Sequence, residues 1–287
     1  MVLESLTNPG NAEKHKSLMI LLGFSFAIVG AILSYFMAGP VPSMMLVFFT
    51  AIPAIPVMYA IIKYEEEKDV MYDSEKKIFK EHTKALGAFM FLFLGMVIGL
   101  TLVFVVVPSE VDFLLFEHQL ENLEYIQSST NPSTGMVTAS QSGQFGQVFF
   151  NNVRVLIISI IFSFLFGAGA IFVLAWNASV IAAAIGSFIK EGLAFAGELT
   201  GIYRVAFQFE TITVGFLMYA LHGIPEILGY FTAALAGGII SVAVIKHEFG
   251  TPTFLKVLVD SADLVLASLV LLFMAALLEV YITPLIF

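Results

Sequence analysis

The chain contains no cysteine, which excludes disulfides, thiolate metal sites and cysteine-based catalysis. Charged residues are also scarce, at 12% of the sequence, compared with roughly 25% in a soluble domain. The net charge of −9 argues against the basic surface that nucleic-acid binding requires. P-loop, dinucleotide-binding, HExxH and nucleophile-elbow motifs are absent from the sequence. We therefore expect no nucleic-acid partner, no cofactor, no metal and no enzymatic activity.

Hydrophobic residues are abundant instead, at 59% of the chain. They occur in runs of about 20 residues, which is the length of helix that crosses a bilayer. The runs lack the two-residue alternation of a membrane β-barrel strand. These patterns predict an all-α, polytopic transmembrane helical bundle with six or seven apolar segments, including broken or re-entrant helices. We expect a multi-pass protein of the cell membrane that contacts the lipid bilayer.

Residues 1–84 are predicted to form an N-terminal two-span hairpin and a charged cytoplasmic loop. The spans are Ser17–Ala38 and Ser43–Ile62, and two prolines predict a kink in the second span. The loop at residues 63–84 carries six lysines and seven acidic residues, and we interpret it as a solvated helical loop. Its lysines place the loop and the N-terminus in the cytoplasm by the positive-inside rule.

Residues 85–287 are predicted to form the main bundle, with an external loop at 108–150 that begins as an amphipathic helix. The first span of this bundle is Leu86–Val107. It contains Gly95 and Gly99, and this four-residue spacing allows a second helix to approach closely.

The sequence leaves the topology open after the fourth span, Val153–Ala175. Asn177 interrupts the apolar run and is well suited to cap a new helix that begins at Ala178. If the segment Ala178–Ala196 crosses the membrane, the chain has seven spans, and if it is re-entrant, the chain has six. Charge counting does not choose between them, because ten of the thirteen basic residues lie inside in both cases.

The stretch Gln208–Ile245 is apolar almost throughout, yet it contains Glu210, His222 and Glu226. A Gly-Ile-Pro run that begins at Gly223 predicts a helix break, because proline ends one helix and suits the first turn of the next. Glu226 would then lie in the first turn of the new helix. Small residues follow at four-residue intervals and predict a face that packs against another helix: Gly229, Ala233 and Gly237.

Polar residues lie at the ends and breaks of several apolar runs. We hypothesise that they converge in one polar pocket formed by Asn151, Asn152, Asn177, His222, Gly223 and Glu226. Glu210 and Glu279 are candidates for an ion or proton path, because ionisable residues within spans often mark such paths. The alternative is that the polar side chains only satisfy free backbone groups around the helix breaks.

Three sequence blocks, in this order, resemble the stage II sporulation protein M family: FFNNVRVLI, WNASVIAAAIG and LHGIPEILGYFTAALAG. The resemblance covers roughly residues 85–285 and implies a multi-helix membrane fold. It marks the same residues as the hypothesised pocket, from Asn151 to Glu226. In spore-forming bacteria, the named member anchors and organises peptidoglycan-degrading partners during engulfment.

The resemblance therefore implies a non-enzymatic membrane anchor or scaffold for other membrane or envelope proteins. A second copy of the chain is an alternative partner, in which case the protein forms a homo-oligomer. The alternative function is a transporter or channel for a small solute or ion, proton-coupled through buried Glu and His. An intramembrane hydrolase is a third hypothesis. It is disfavoured because a metal-dependent hydrolase would need metal ligands beyond His222 and Glu226, and the sequence does not identify them.

Overall fold

The computed structural model describes residues 12, 15–37, 39, 41–71, 75–130, 141–166, 169–197, 201–246 and 250–286. The described chain is helical, and its helices follow in this order: α1 (Lys16–Met37), α2 (Pro42–Ala51), α3 (Ala54–Met71), α4 (Glu75–Val106), α5 (Ser109–Thr130), α6 (Gln141–Phe166), α7 (Ala170–Ala196), α8 (Gly201–Ile245), α9 (Pro252–Leu277), a π-helical segment (Leu278–Ile282) and α10 (Thr283–Ile286).

Within the described residues, seven helical stretches are long and apolar enough to cross a membrane. They confirm the predicted all-α polytopic bundle. The second span is broken as expected, since α2 ends at Ala51 and α3 begins at Ala54, with the proline-containing turn between them. By contrast, α7 is one continuous helix of 27 residues. It is long enough to cross the bilayer alone, as the seven-span arrangement requires.

The N-terminal hairpin is joined to the main bundle by backbone contact between α1 and α4. A Cβ atom added to Gly95 would lie 2.9 Å from the carbonyl carbon of Ile20. A Cβ atom added to Gly23 would lie 3.0 Å from the carbonyl carbon of Leu92. Such proximity requires glycine on both helices. The predicted domain boundary at residues 84/85 lies inside the uninterrupted helix α4.

The centre of the bundle is the second half of α8, where residues 229–239 are all buried. Gly229 faces α9, and a Cβ atom there would lie 3.2 Å from the Ser268 carbonyl oxygen. Gly237 faces α6, and a Cβ atom there would lie 2.7 Å from the Ile160 carbonyl oxygen. Ala233 between them is fully buried. The small-residue face therefore lets α8 pack closely on two neighbours.

Ion pairs mark the two ends of the bundle. Lys246, directly after α8, pairs with the buried Glu66 of α3. At the other end, Lys190 of α7 pairs with Asp112 of α5 and donates a hydrogen bond to the Val107 carbonyl oxygen at 3.0 Å. We call these the Glu66 end and the Lys190 end.

The prediction that residues 63–84 form a solvated loop is wrong for several residues near the two ends of this range. The region is helical, but Glu65, Lys68 and His82 are 0%, 5% and 3% exposed. Glu65 accepts a hydrogen bond from Lys68 at 2.6 Å and contacts His82 Nδ1 at 2.9 Å. Lys68 also pairs with Glu81 at 3.2 Å. We call these four residues the ionic cluster. They are buried because α3 and α4 pair each charge with a partner.

Candidate functional site

The helix that carries most of the predicted site is continuous. The sequence predicted a break at Gly223–Pro225, but α8 runs unbroken from Gly201 to Ile245 with Pro225 inside it. The prediction was wrong, and so was the placement of Glu226 in a first turn. Proline removes one backbone hydrogen bond, whereas a full break would leave several backbone groups without partners in an apolar environment. The smaller cost explains why the helix continues.

Three polar side chains share one face of α8 because they are four residues apart: His222, Glu226 and Tyr230. The Tyr230 hydroxyl donates a hydrogen bond to Glu226 Oε1 at 2.8 Å. Tyr230 is 1% exposed, and Glu226 is half-buried. The glutamate is therefore held in place by its own helix and directed towards α9.

The π-helical segment after α9 supplies the other side of the site. Glu279 lies within it, close enough to interact electrostatically with both Glu226 and Tyr230. Thr283 lies just beyond the segment, with its hydroxyl 3.0 Å from the Leu278 carbonyl oxygen and 3.4 Å from His222 Nδ1. Short π-helical insertions are rare and are often found at functional sites.

We call the resulting group the α8–α9 polar cluster. Its members come from α8, the π-helical segment and α10: His222, Glu226, Tyr230, Glu279 and Thr283. Two carboxyl groups, a phenol and an imidazole in one apolar setting can hold and exchange a proton, or bind a small cation. Among the described residues, no group of three or more His, Cys, Asp or Glu side chains is arranged to hold a metal ion.

The three asparagines do not form the predicted shared pocket at two helix N-termini. Asn177 lies inside α7 and donates to the Val173 carbonyl oxygen of the same helix at 2.8 Å. The prediction that it caps a new helix is therefore wrong, and neither of the two expected N-termini exists. Asn151 is exposed on α6.

Asn152 comes closer to the predicted position. It is 5% exposed, and its Nδ2 atom has no hydrogen-bond partner among the described residues. Phe149, one turn earlier on α6, lies 5.9 Å from Phe273 of α9 between ring centroids. The adjacent Leu272 contacts the position of Gly229 on α8. Asn152 therefore lies within about one helical turn of the height of the polar cluster, on a third helix.

Glu210 does not join the polar cluster. It is exposed on α8, sixteen residues before Glu226, which is about 24 Å along a helix that rises 1.5 Å per residue. A direct path between the two carboxylates is therefore not formed by this chain. Glu279 is the glutamate that approaches Glu226 instead.

Sequence reasoning missed the ionic cluster. Charged side chains are rarely buried, so a dense run of lysines and acids is expected to be solvated. The pairing of Glu65 with Lys68 has helical spacing that was visible in the sequence, but the contact of Glu65 with His82 joins two helices and residues 17 positions apart. The latter contact had no local signal.

Comparison with known proteins supplies the family. No curated protein and no solved structure matches the chain. The family model described as Stage II sporulation protein M matches residues 76–284, which is more than half of the chain and includes the polar cluster on α8. The region matched starts at the beginning of α4 and leaves out the N-terminal hairpin. The chain therefore belongs to the stage II sporulation protein M family and is an integral membrane protein of that family.

Proposed function

We propose that this protein is a non-enzymatic membrane scaffold that binds a partner protein of the membrane or envelope. The observation that carries the proposal is an exposed apolar surface at the tip of the α7–α8 hairpin, beyond the ion pair of the Lys190 end. We define the α7–α8 tip as residues 191–197 and 201–210.

The α7–α8 tip extends past the rest of the bundle because the two helices continue together. Positions Gly192 and Thr211 are in contact, and a Cβ atom on Gly215 would lie 2.9 Å from the Phe188 ring. These two contacts lie on either side of Lys190 along the axis of α7. The ten residues of α8 before Thr211 therefore reach about 15 Å further along the helix axis.

The outer surface of the tip carries exposed apolar and aromatic side chains beside the charged Glu191, Arg204 and Glu210, which are also exposed. Ile202, Tyr203 and Phe209 are 75%, 77% and 74% exposed. The rings of Phe195 and Phe207 lie 5.3 Å apart and connect the two helices, although Phe195 is itself 55% exposed. Contiguous exposed apolar surface on a rigid element is typical of a protein interaction site, and exposed aromatic residues are the usual anchors of such sites.

The orientation of the scaffold follows from its basic residues. Lys63, Lys68, Lys84 and Lys246 lie at the Glu66 end, and cytoplasmic ends are enriched in such residues. We propose that this end, with the N-terminus, faces the cytoplasm. The α7–α8 tip then faces the opposite side, where an envelope partner is accessible.

Site-specific photo-crosslinking tests the scaffold function. With p-benzoylphenylalanine at Tyr203 or Phe209, we expect a discrete cross-linked protein in native membranes. The same label at Phe36, which is 78% exposed near the end of α1, serves as the control and should not give that product. Phe36 and the α7–α8 tip both lie at the Lys190 end. Comparing their cross-linked products therefore separates a partner surface from general exposure to the membrane.

The identity of the cross-linked product decides the proposal. A heterologous protein supports a scaffold, and a product of twice the chain mass identifies a second copy as the partner. Adducts of lipid alone at both tip positions would contradict the scaffold function, because the tip would then be a membrane-contacting surface.

The α8–α9 polar cluster favours a second candidate function, a proton- or cation-coupled transporter. The carboxyl groups of Glu226 and Glu279, from different helices within spans, are within electrostatic range of each other, and Glu279 belongs to a π-helical segment. This arrangement is typical of coupling sites in membrane transporters.

Proton flux in liposomes tests the second candidate. For a transporter, Glu226→Gln should abolish most of the flux measured with an enclosed pH-sensitive dye, because the amide cannot exchange a proton at that position. Glu210→Gln is the matched control, since Glu210 is exposed and outside the cluster. Equal flux in wild type, both variants and empty liposomes would exclude this function.

A further inference from the structure

A largely apolar cavity of about 280 Å³ lies between α4, α7 and α8. Phe93 and Val97 line it from α4, Ile181 and Ile185 from α7, and Gly223 and Ile227 from α8. All three helices are among the candidate membrane spans. The cavity is on a different side of α8 from His222 and Glu226 and was not predicted from the sequence.

The cavity opens towards the outside of the bundle. Leu94 and Ile224 line it and are 40% and 55% exposed. Both belong to membrane-spanning stretches, so the mouth lies on a lipid-facing surface. Apolar cavities do not hold water and bind apolar molecules instead. In a bilayer, the acyl chains of lipids surround the mouth of the cavity.

The position of the cavity limits its occupant. Its mouth opens between membrane-spanning stretches, where lipid acyl chains are the surrounding apolar molecules. A single acyl chain is narrow and flexible enough to enter. We propose that this cavity is a lateral binding site for one acyl chain of a membrane lipid, and that Gly223 keeps it open.

The role of Gly223 follows from the space beside it. A Cβ atom at this position would have nothing within 4 Å, although the residue lies inside a continuous helix and lines the cavity. The glycine is therefore not required for a turn or for close helix packing. Gly229, two turns further on, differs because a Cβ atom there would meet Leu272 at 3.0 Å. A larger side chain at position 223 has room to extend into the cavity.

Gly223→Leu is therefore expected to fill the site without disturbing the bundle. The protein is reconstituted in phosphatidylcholine nanodiscs in which part of the lipid carries a diazirine in the middle of one acyl chain. After illumination, mass spectrometry quantifies lipid adducts on the α4 and α7 lining residues. We expect adducts at Phe93 and Ile185 in the wild type, and about a tenfold lower yield in Gly223→Leu, equivalent to 1.4 kcal/mol of lost binding.

The matched control is Gly146→Leu, because Gly146 is also a helical glycine with nothing within 4 Å of an added Cβ atom, and it does not line the cavity. It should give the wild-type yield at Phe93 and Ile185. Adducts on the exposed Val29 and Ile32 of α1 should be equal in all variants. A second variant, Val97→Phe, fills the cavity from α4 and decides the result if Gly223→Leu does not fold.

Two results would overturn the proposal. One is the absence of lipid adducts on the lining residues of the wild type. The other is an undiminished adduct yield in the folded filling variants. The proposal does not depend on the scaffold function, since this measurement uses purified protein and lipid alone.

Discussion

Replacing Gly95 with leucine is expected to destabilise the protein by about 3 kcal/mol or more, at the upper end of the usual cost of over-packing. At this position a Cβ atom would already overlap the Ile20 carbonyl group and lie 2.9 Å from the Phe24 nitrogen. Both neighbours are backbone atoms, so a change of rotamer cannot relieve the clash. The helices α1 and α4 would have to separate along their crossing.

The measurement is the apparent melting temperature in detergent, at one scan rate because unfolding of such proteins is commonly irreversible. Gly87→Leu in the same helix is the control. The nearest atom to its Cβ would be the flexible Lys16 Cε at 3.7 Å, so this variant should melt like the wild type. A Gly95→Leu protein that also melts like the wild type would show that α1 is only loosely attached to the bundle.

Removing Glu65 is expected to cost about 3–5 kcal/mol, as does the loss of one partner from other buried ion pairs. Glu65→Ala leaves Lys68 and His82, which are 5% and 3% exposed, without the carboxylate between them. Lys68 would keep Glu81 at 3.2 Å and the Tyr64 ring at 4.2 Å. These contacts offset only part of the loss, because Glu65 is the closer carboxylate.

Glu67→Ala provides the matched control. Glu67 is exposed on the same helix, and surface substitutions of this kind usually change stability by no more than about 0.5 kcal/mol. A rescue experiment separates charge from packing: replacing Glu65, Lys68 and His82 together with apolar residues should recover most of the stability. Equal melting temperatures for Glu65→Ala and Glu67→Ala would contradict the assignment of the ionic cluster as a stabilising feature.

Both predictions concern the connection between the N-terminal hairpin and the part of the chain that the family model matches. The Gly95 crossing and the contact between Glu66 and Lys246 each join residues before 76 to residues after it. A protein that lacked the hairpin would expose the α1-facing side of α4 and leave Lys246 without Glu66. We therefore expect the hairpin to be part of the folded core of this family member.

The sequence alone determined the class of the protein and most of its helices. Apolar runs of about 20 residues locate the spans to within the choice of six or seven, because the length of a span depends on the bilayer and not on its neighbours. The small residues Gly95, Gly229 and Gly237 indicated where helices approach closely, since local spacing is enough to create a groove. The kink between α2 and α3 was likewise a local effect of proline.

The tertiary structure decided whether helices continue and which polar residues meet. The same reasoning about proline that succeeded at Pro53, in the turn between α2 and α3, failed at Pro225, through which α8 continues. Glu226 comes within electrostatic range of Glu279, and Glu66 pairs with Lys246, only because α8 packs beside α9 and α3. Such pairings depend on the arrangement of distant segments. The residues next to a charged side chain in the sequence do not indicate which helix will supply its partner.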